Sequence, residues 1–337
     1  MYRETNEALS NKINALRFFA IFGVLYIHAE NYAQFGFLQG TQGYALEQKA
    51  IGAFEWAVPL FFLLSAFLFF RGFRWDQLLP KWGRRIHSIL IPYLVWSTIY
   101  FALFALLPRL PFLAPYLNSS PAPLTLSELL SSIFLNRYAG FLWFIKTLIV
   151  FTLAAPLFYV IFSRRYLGEI VLIGIFALSI FFPATYCPEL SLRWRFIFFY
   201  ALGAYLGLRF PDAARFTIHR PARLALLFAI PIFVVLNAFW DCELYSLAII
   251  VCLWFGMDAG SIQPRRVFET TFFVYMLHIL VFSLVKKLQY VLLPHTELWM
   301  LIAYASVPFI TVAILHPLAL LFRRLIPRAY GFLFGGR

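Results

Sequence analysis

Arg17 and His28 stand in one apolar segment, residues 13–32, that reads as a membrane-crossing helix. The eleven positions between them make about three turns, so both side chains leave one face of the helix, about 16 Å apart along its axis. A charge at membrane depth costs at least about 2.5–3.5 kcal/mol, so such residues point to function first. An imidazole near mid-membrane over a guanidinium near one surface suits a site that handles a polar, anionic ligand. Histidine titrates near neutral pH and is the natural general base.

Other polar residues fall at comparable depth when position is counted along each apolar run at about 1.5 Å per residue. Glu55 lies about one turn below the outer end of the second run, and Lys146 about two turns into the fourth. Trp143 is in the first turn of that fourth run, Arg193 and Arg195 open the sixth, and Tyr275 and His278 share a face of the ninth at i, i+3. A carboxylate beside the imidazole would fix its tautomer, and Glu55 is the candidate; Glu30 points about 200° away from His28 on the same helix. Each residue also has a plainer role. Arg17 and Lys146 can snorkel to headgroups. His28 and His278 can be interhelical hydrogen-bonders, Glu55 can pair with a helix-six arginine, and Trp143 can belong to an aromatic belt. His87, His219, His295 and His316 lie near helix ends or in loops and read as structural.

The elements that must position these residues follow from composition. Of 337 residues, 62% are hydrophobic and 13% charged, about half the charged share of soluble domains. The expected fold is all-α, a polytopic membrane helix bundle forming one transmembrane domain over residues 1–337. Ten helices are expected, at about 13–33, 51–70, 88–107, 140–162, 167–182, 192–210, 223–240, 244–259, 267–285 and 298–321. Arg71, Arg74, Lys81, Arg84 and Arg85 form one basic loop. Further basic loops hold Arg164 and Arg165, Arg209 to Arg223, Arg265 and Arg266, and Arg323 to Arg328. All lie on one side of a ten-helix topology, which places that side and both termini in the cytoplasm of a multi-pass inner-membrane protein. Lys286, Lys287, Arg193 and Arg195 run against the pattern. The net charge of +13 is thus a topology signal, and no nucleic acid is expected as a partner. The Pro-rich stretch 108–139 cannot be one helix, and residues 126–135 form a short amphipathic interfacial helix. Its loop carries the aromatics Tyr116 and Tyr138.

No zinc-type ligand spacing, Gly-rich phosphate loop or nucleophile elbow is present. Cys187 and Cys242 fall in expected outer loops, and free thiols are favoured over a disulfide.

Several segments together resemble the acyltransferase-3 family of integral membrane acyltransferases. Ala15-Leu-Arg-Phe-Phe-Ala-Ile-Phe-Gly-Val-Leu-Tyr-Ile-His28 is similar to its first-helix signature, an Arg and, after ten residues, a His. Val58-Pro-Leu-Phe-Phe-Leu-Leu-Ser-Ala-Phe67 resembles its second-helix stretch, with Ser65-Ala66 where the family usually has Ser-Gly. Arg84-Arg-Ile-His-Ser-Ile-Leu-Ile-Pro-Tyr93 looks like its basic loop before helix three. Leu142-Trp-Phe-Ile-Lys146 and Tyr275-Met-Leu-His278 resemble its Leu-Trp-Phe and Tyr-x-x-His elements. The motifs occur in family order, and the Val-Pro-Leu-Phe-Phe wording looks closer to the branch typified by enterobacterial common-antigen O-acetyltransferase than to members fused to a periplasmic hydrolase-like domain.

The resemblance implies transfer of an acyl group, commonly acetyl, from cytoplasmic acyl-CoA to a hydroxyl of an extracytoplasmic glycan or lipid-linked sugar. No cofactor is held permanently; acetyl-CoA is the donor substrate. His28 would be the catalytic base with Glu55 beside it. Arg17, Arg84 and Arg85 would bind acyl-CoA, and Trp143, Lys146, Arg195, Tyr275 and His278 would hold the acceptor or the oxyanion. The rival expectation is a transporter or exporter of a polysaccharide or an acyl-carrying intermediate, since polar residues inside a bundle also line translocation paths.

Overall fold

Backbone polar groups in hydrocarbon must be satisfied within their own segment, which a helix achieves. The computed structural model describes residues 2–31, 36, 39–114, 117, 120–183, 186–187, 192–213, 216, 218–240 and 242–335, and is helical almost throughout. The first half of the chain forms α1 (Tyr2–His28), α2 (Gln42–Ala53), α3 (Ala57–Phe70), α4 (Leu78–Arg85), α5 (Ile91–Leu106), α6 (Leu126–Leu135), α7 (Trp143–Leu153) and α8 (Ala155–Phe162). There follow α9 (Arg165–Phe181), α10 (Trp194–Arg209), α11 (Arg220–Trp240), α12 (Glu243–Gly256), α13 (Thr271–Leu292), α14 (Glu297–Leu325) and α15 (Pro327–Phe334). A two-stranded ladder pairs β1 (Tyr186–Cys187) with β2 (Leu192–Arg193) before α10. Tyr116 lies outside the described residues, and neither Cys187 nor Cys242 is in a disulfide.

Each expected helix falls on a helical segment, with two divisions. The second, 51–70, takes in the end of α2 and the turn at 54–56 before α3. The fourth is two helices, α7 and α8, parted at Ala154, because Pro156 enters the first turn of α8 and breaks the ladder behind it. Among the described residues, six segments are long and apolar enough to cross a membrane: Glu7–His28, Gln42–Phe70, Trp75–Arg109, Arg220–Trp240, Arg266–Leu292 and Glu297–Leu325. A seventh arises if α6 and the segment Gly140–Leu153, bent by 51°, act as one span. Helices α9, α10 and α12 have 17, 16 and 14 residues, short of the roughly 20 that cover a hydrocarbon core.

The tightest packing is between α3 and α10. A Cβ on Gly203 would stand 2.3 Å from the Leu63 carbonyl oxygen, and one on Gly207 2.7 Å from that of Phe67. The two helices therefore touch backbone to backbone, the small-residue mode of membrane bundles. Gly23 does the same for α1, where an added Cβ would meet Ala57 at 2.7 Å. Aromatic rings fill the space around these contacts. Phe62 lies against Phe144, Phe151 and Phe196 at centroid distances of 4.7–5.4 Å. Helix α11 is peripheral, with 6% of its apolar window buried.

The short helix expected over residues 126–135 forms. Thr125 caps α6 by accepting from the Glu128 N–H at 3.2 Å, and Asn136 ends it in the left-handed region at φ 56°. Ser132 donates to the Ser97 carbonyl at 2.8 Å, which docks α6 on α5. At the C-terminus α15 folds back on the same helix, its Leu333 carbonyl accepting from the Trp96 indole at 3.0 Å.

Candidate functional site

Helix α1 is packed on most of its circumference, with Leu16, Ala20, Ile21 and Leu25 buried. Asn14, Arg17, Val24 and His28 recur at helical spacing and line a cavity of about 630 Å³. Helix α3 supplies Val58, Phe61 and Ser65 to the same space, and Glu55 stands in the turn before it. Trp143, Phe144 and Leu148 come from α7, and Thr271, Phe272 and Tyr275 from α13. Between α4 and α5 the chain makes a π-type turn, Ile86–Leu90, which places Ile89 on the cavity wall. Such turns re-aim side chains at a cost to regular helix geometry.

The structure therefore brings Arg17, His28, Glu55, Trp143 and Tyr275 to one cavity. Neither imidazole nitrogen of His28 has a hydrogen-bond partner among the described residues. Glu55 does not hold it. That carboxylate instead lies 3.9 Å from the Arg195 guanidinium. The Tyr275 hydroxyl donates to the Phe141 carbonyl at 2.6 Å, which pins α13 to the start of α7.

The remaining expected site residues sit around the cavity rather than on its wall. His278 is fully buried with its ring 5.2 Å from that of His28. Its Nδ1 is 2.7 Å from the Tyr275 carbonyl, so it carries the hydrogen and donates. Its Nε2 has no partner among the described residues. Arg195 is 8% exposed and donates through Nε to Glu243 at 2.7 Å. Lys146 reaches back to the Phe134 carbonyl at 3.2 Å. Arg85 donates to the carbonyl of Ser65, a wall residue, at 3.2 Å and lies over the Phe69 ring. Arg84 is exposed.

Three groups escaped the sequence reading. Glu243 of α12 is the principal partner of Arg195, and charge pairs 48 positions apart leave no local pattern. Lys286, which ran against the charge rule, is 9% exposed and donates to the carbonyls of His28 at 3.0 Å and Glu30 at 2.5 Å. It thereby satisfies the open C-terminal carbonyls of α1, where a cation is favoured. Buried Glu47 accepts from the Asn31 N–H at 2.7 Å just beyond. The place where His28 ends its helix is thus clamped from two sides. At the other end of the cavity Arg323 meets Glu269 at 2.6 Å. Among the described residues no group of three or more His, Cys, Asp or Glu could hold a metal ion.

The cavity therefore gathers an imidazole and a guanidinium from α1 and an indole from α7 in an aromatic-lined space, an arrangement able to hold an anionic molecule and deprotonate a second one. A family model described as an acyltransferase domain, that of the acyltransferase-3 family, matches residues 10–317. No curated protein and no solved structure matches the chain. The match supports acyl transfer by a membrane protein and gives the export reading no support.

Proposed function

We propose, for a chain that belongs to the acyltransferase-3 family and is an acyltransferase, that it moves an acyl group, acetyl in the first instance, from cytoplasmic acyl-CoA to a carbohydrate hydroxyl on the far side of the inner membrane. The observation that carries this reading is the single cavity that holds Arg17 and His28 together with Glu55, Trp143 and Tyr275. In this reading all ten expected helices cross, the short ones included, and both termini are cytoplasmic. Arg17 then lies toward the donor and His28 toward the acceptor, a glycan or lipid-linked sugar. The Val58-Pro-Leu-Phe-Phe62 wording favours the branch that acetylates enterobacterial common antigen over members fused to a periplasmic hydrolase-like domain.

His28 takes the proton of the sugar hydroxyl, and the oxygen attacks the thioester carbonyl. The carbon–sulfur bond breaks, the ester forms, and the thiolate of coenzyme A receives the proton from the imidazolium. Trp143, which lines the cavity, donates to the developing oxyanion or packs on the sugar in this reading. Tyr275 is occupied by Phe141 and shapes the space. Arg195, Lys146 and His278 act through these wall residues, Arg195 by holding Glu55 in place. Arg17 attracts the phosphate-bearing donor, with Arg85 and exposed Arg84 adding positive charge on the same side.

His28→Ala in isolated membranes given labelled acetyl-CoA loses label transfer to glycan, while the protein remains inserted at wild-type level. Transfer retained by that variant removes His28 as the base.

A further inference from the structure

The strongest basic feature left over lies beside the cavity. A second recess of about 620 Å³ is lined by Arg266, Arg323 and Arg324, with Glu269, over an apolar floor that includes Leu320 and Leu321. The recess and the cavity share Glu269 and Arg323, so one ion pair, 2.6 Å long, stands on the boundary of both. Arg266 and Arg324 are exposed, and neither has an ion-pair partner among the described residues. Three arginines against one glutamate leave the lining at +2. Its volume lies within the roughly 300–1,000 Å³ of small-molecule sites.

We propose, resting on the acyl-CoA reading above, that this recess seats the 3′-phosphorylated ADP end of the donor, while the pantetheine arm passes the Glu269–Arg323 pair into the cavity. Guanidinium forks match phosphate oxygens two bonds at a time, and the leucine floor takes a face of adenine. A phosphate on Arg323 competes with Glu269 for that guanidinium, so seating the donor opens the boundary it has to cross. An anionic lipid headgroup offers the same phosphate chemistry but has no arm to send toward His28. Arg323 and Arg324 lie beyond residue 317, where the family match ends. The recess is therefore built in part by chain outside the matched region.

The test uses the full chain in nanodiscs of zwitterionic lipid, with coenzyme A and dephospho-coenzyme A, which lacks the 3′-phosphate, as probes. Wild type binds coenzyme A about tenfold more tightly, equivalent to about 1.4 kcal/mol. The R266Q/R324Q variant loses that preference and still binds dephospho-coenzyme A as wild type does, which also shows that it is folded. Equal coenzyme A affinity in variant and wild type overturns the recess and leaves the acyl-CoA reading standing. An equal loss of both probes overturns it as well, because the 3′-phosphate is then not what the arginines read. A defect that appears only after anionic lipid is added assigns the arginines to headgroups and overturns it too. Failure of wild type to bind either probe brings down the acyl-CoA reading itself, and the recess with it.

Discussion

Arg195 shows what one buried charge does here. It is 8% exposed and bonded to Glu243, with Glu55 at 3.9 Å. Removing one partner of such a pair leaves the other charged and dry, a loss of about 3–5 kcal/mol. Arg195→Ala is therefore expected to lower thermal stability in detergent sharply. An Arg195→Met/Glu243→Leu double variant recovers much of it; equal losses in both variants would mean that the pair is not the cause. Arg17 and His28 were legible because both lie on one helix, where spacing alone settles their shared face. Glu55, Trp143 and Tyr275 were legible as depth. Rotation about each helix axis was not, and it turns Lys146 away to Phe134 and Arg195 to Glu243. Lys286 looked like a topology violation because its partners are the carbonyls of another helix's last turn, which no side-chain pattern displays.

Among the elements, α3 and α10 are the rigid pair. Helix α3 brings Phe61 and Ser65 to the cavity, and α10 brings Phe196. Gly203→Val places branched carbon where the Leu63 carbonyl already stands 2.3 Å from an ideal Cβ. Overpacking of this kind costs about 1–3 kcal/mol or more. We expect lower stability and lower acyl transfer together, read by thermal unfolding and by the labelled-acetyl assay; a stable, fully active variant would show that the contact yields. Hydropathy located the helices well because each apolar run is long against its loops. It could not decide which of them cross. Helices of 14–17 residues, α9, α10 and α12, carry the same apolar signal as longer ones. The break at Ala154 was readable in Pro156, whose ring bars a continuous helix.

At the scale of the whole molecule, the cavity runs along α1 from Arg17 to His28, and phenyl rings close in on it: Phe61 and Phe144 from two different helices, with Phe196 beside Trp143. A membrane at rest stores about 2.3 kcal/mol per elementary charge for every 100 mV across it. A polar passage through the protein would spend that store as a proton current. Apolar rings can exclude water from a constriction, so under the proposed transmembrane reading the aromatic wall is expected to act as an electrical seal as well as a binding surface. Phe144→Asn wets it. In proteoliposomes holding a potential, a pH-sensitive dye is then expected to register proton entry that wild type does not allow, and equal tightness of the two would place the seal elsewhere. An abundance of phenylalanine, 41 residues in all, then has a cause beyond hydropathy. If acyl transfer runs through an insulating sheet, as proposed, the catalyst has to be made of insulator itself.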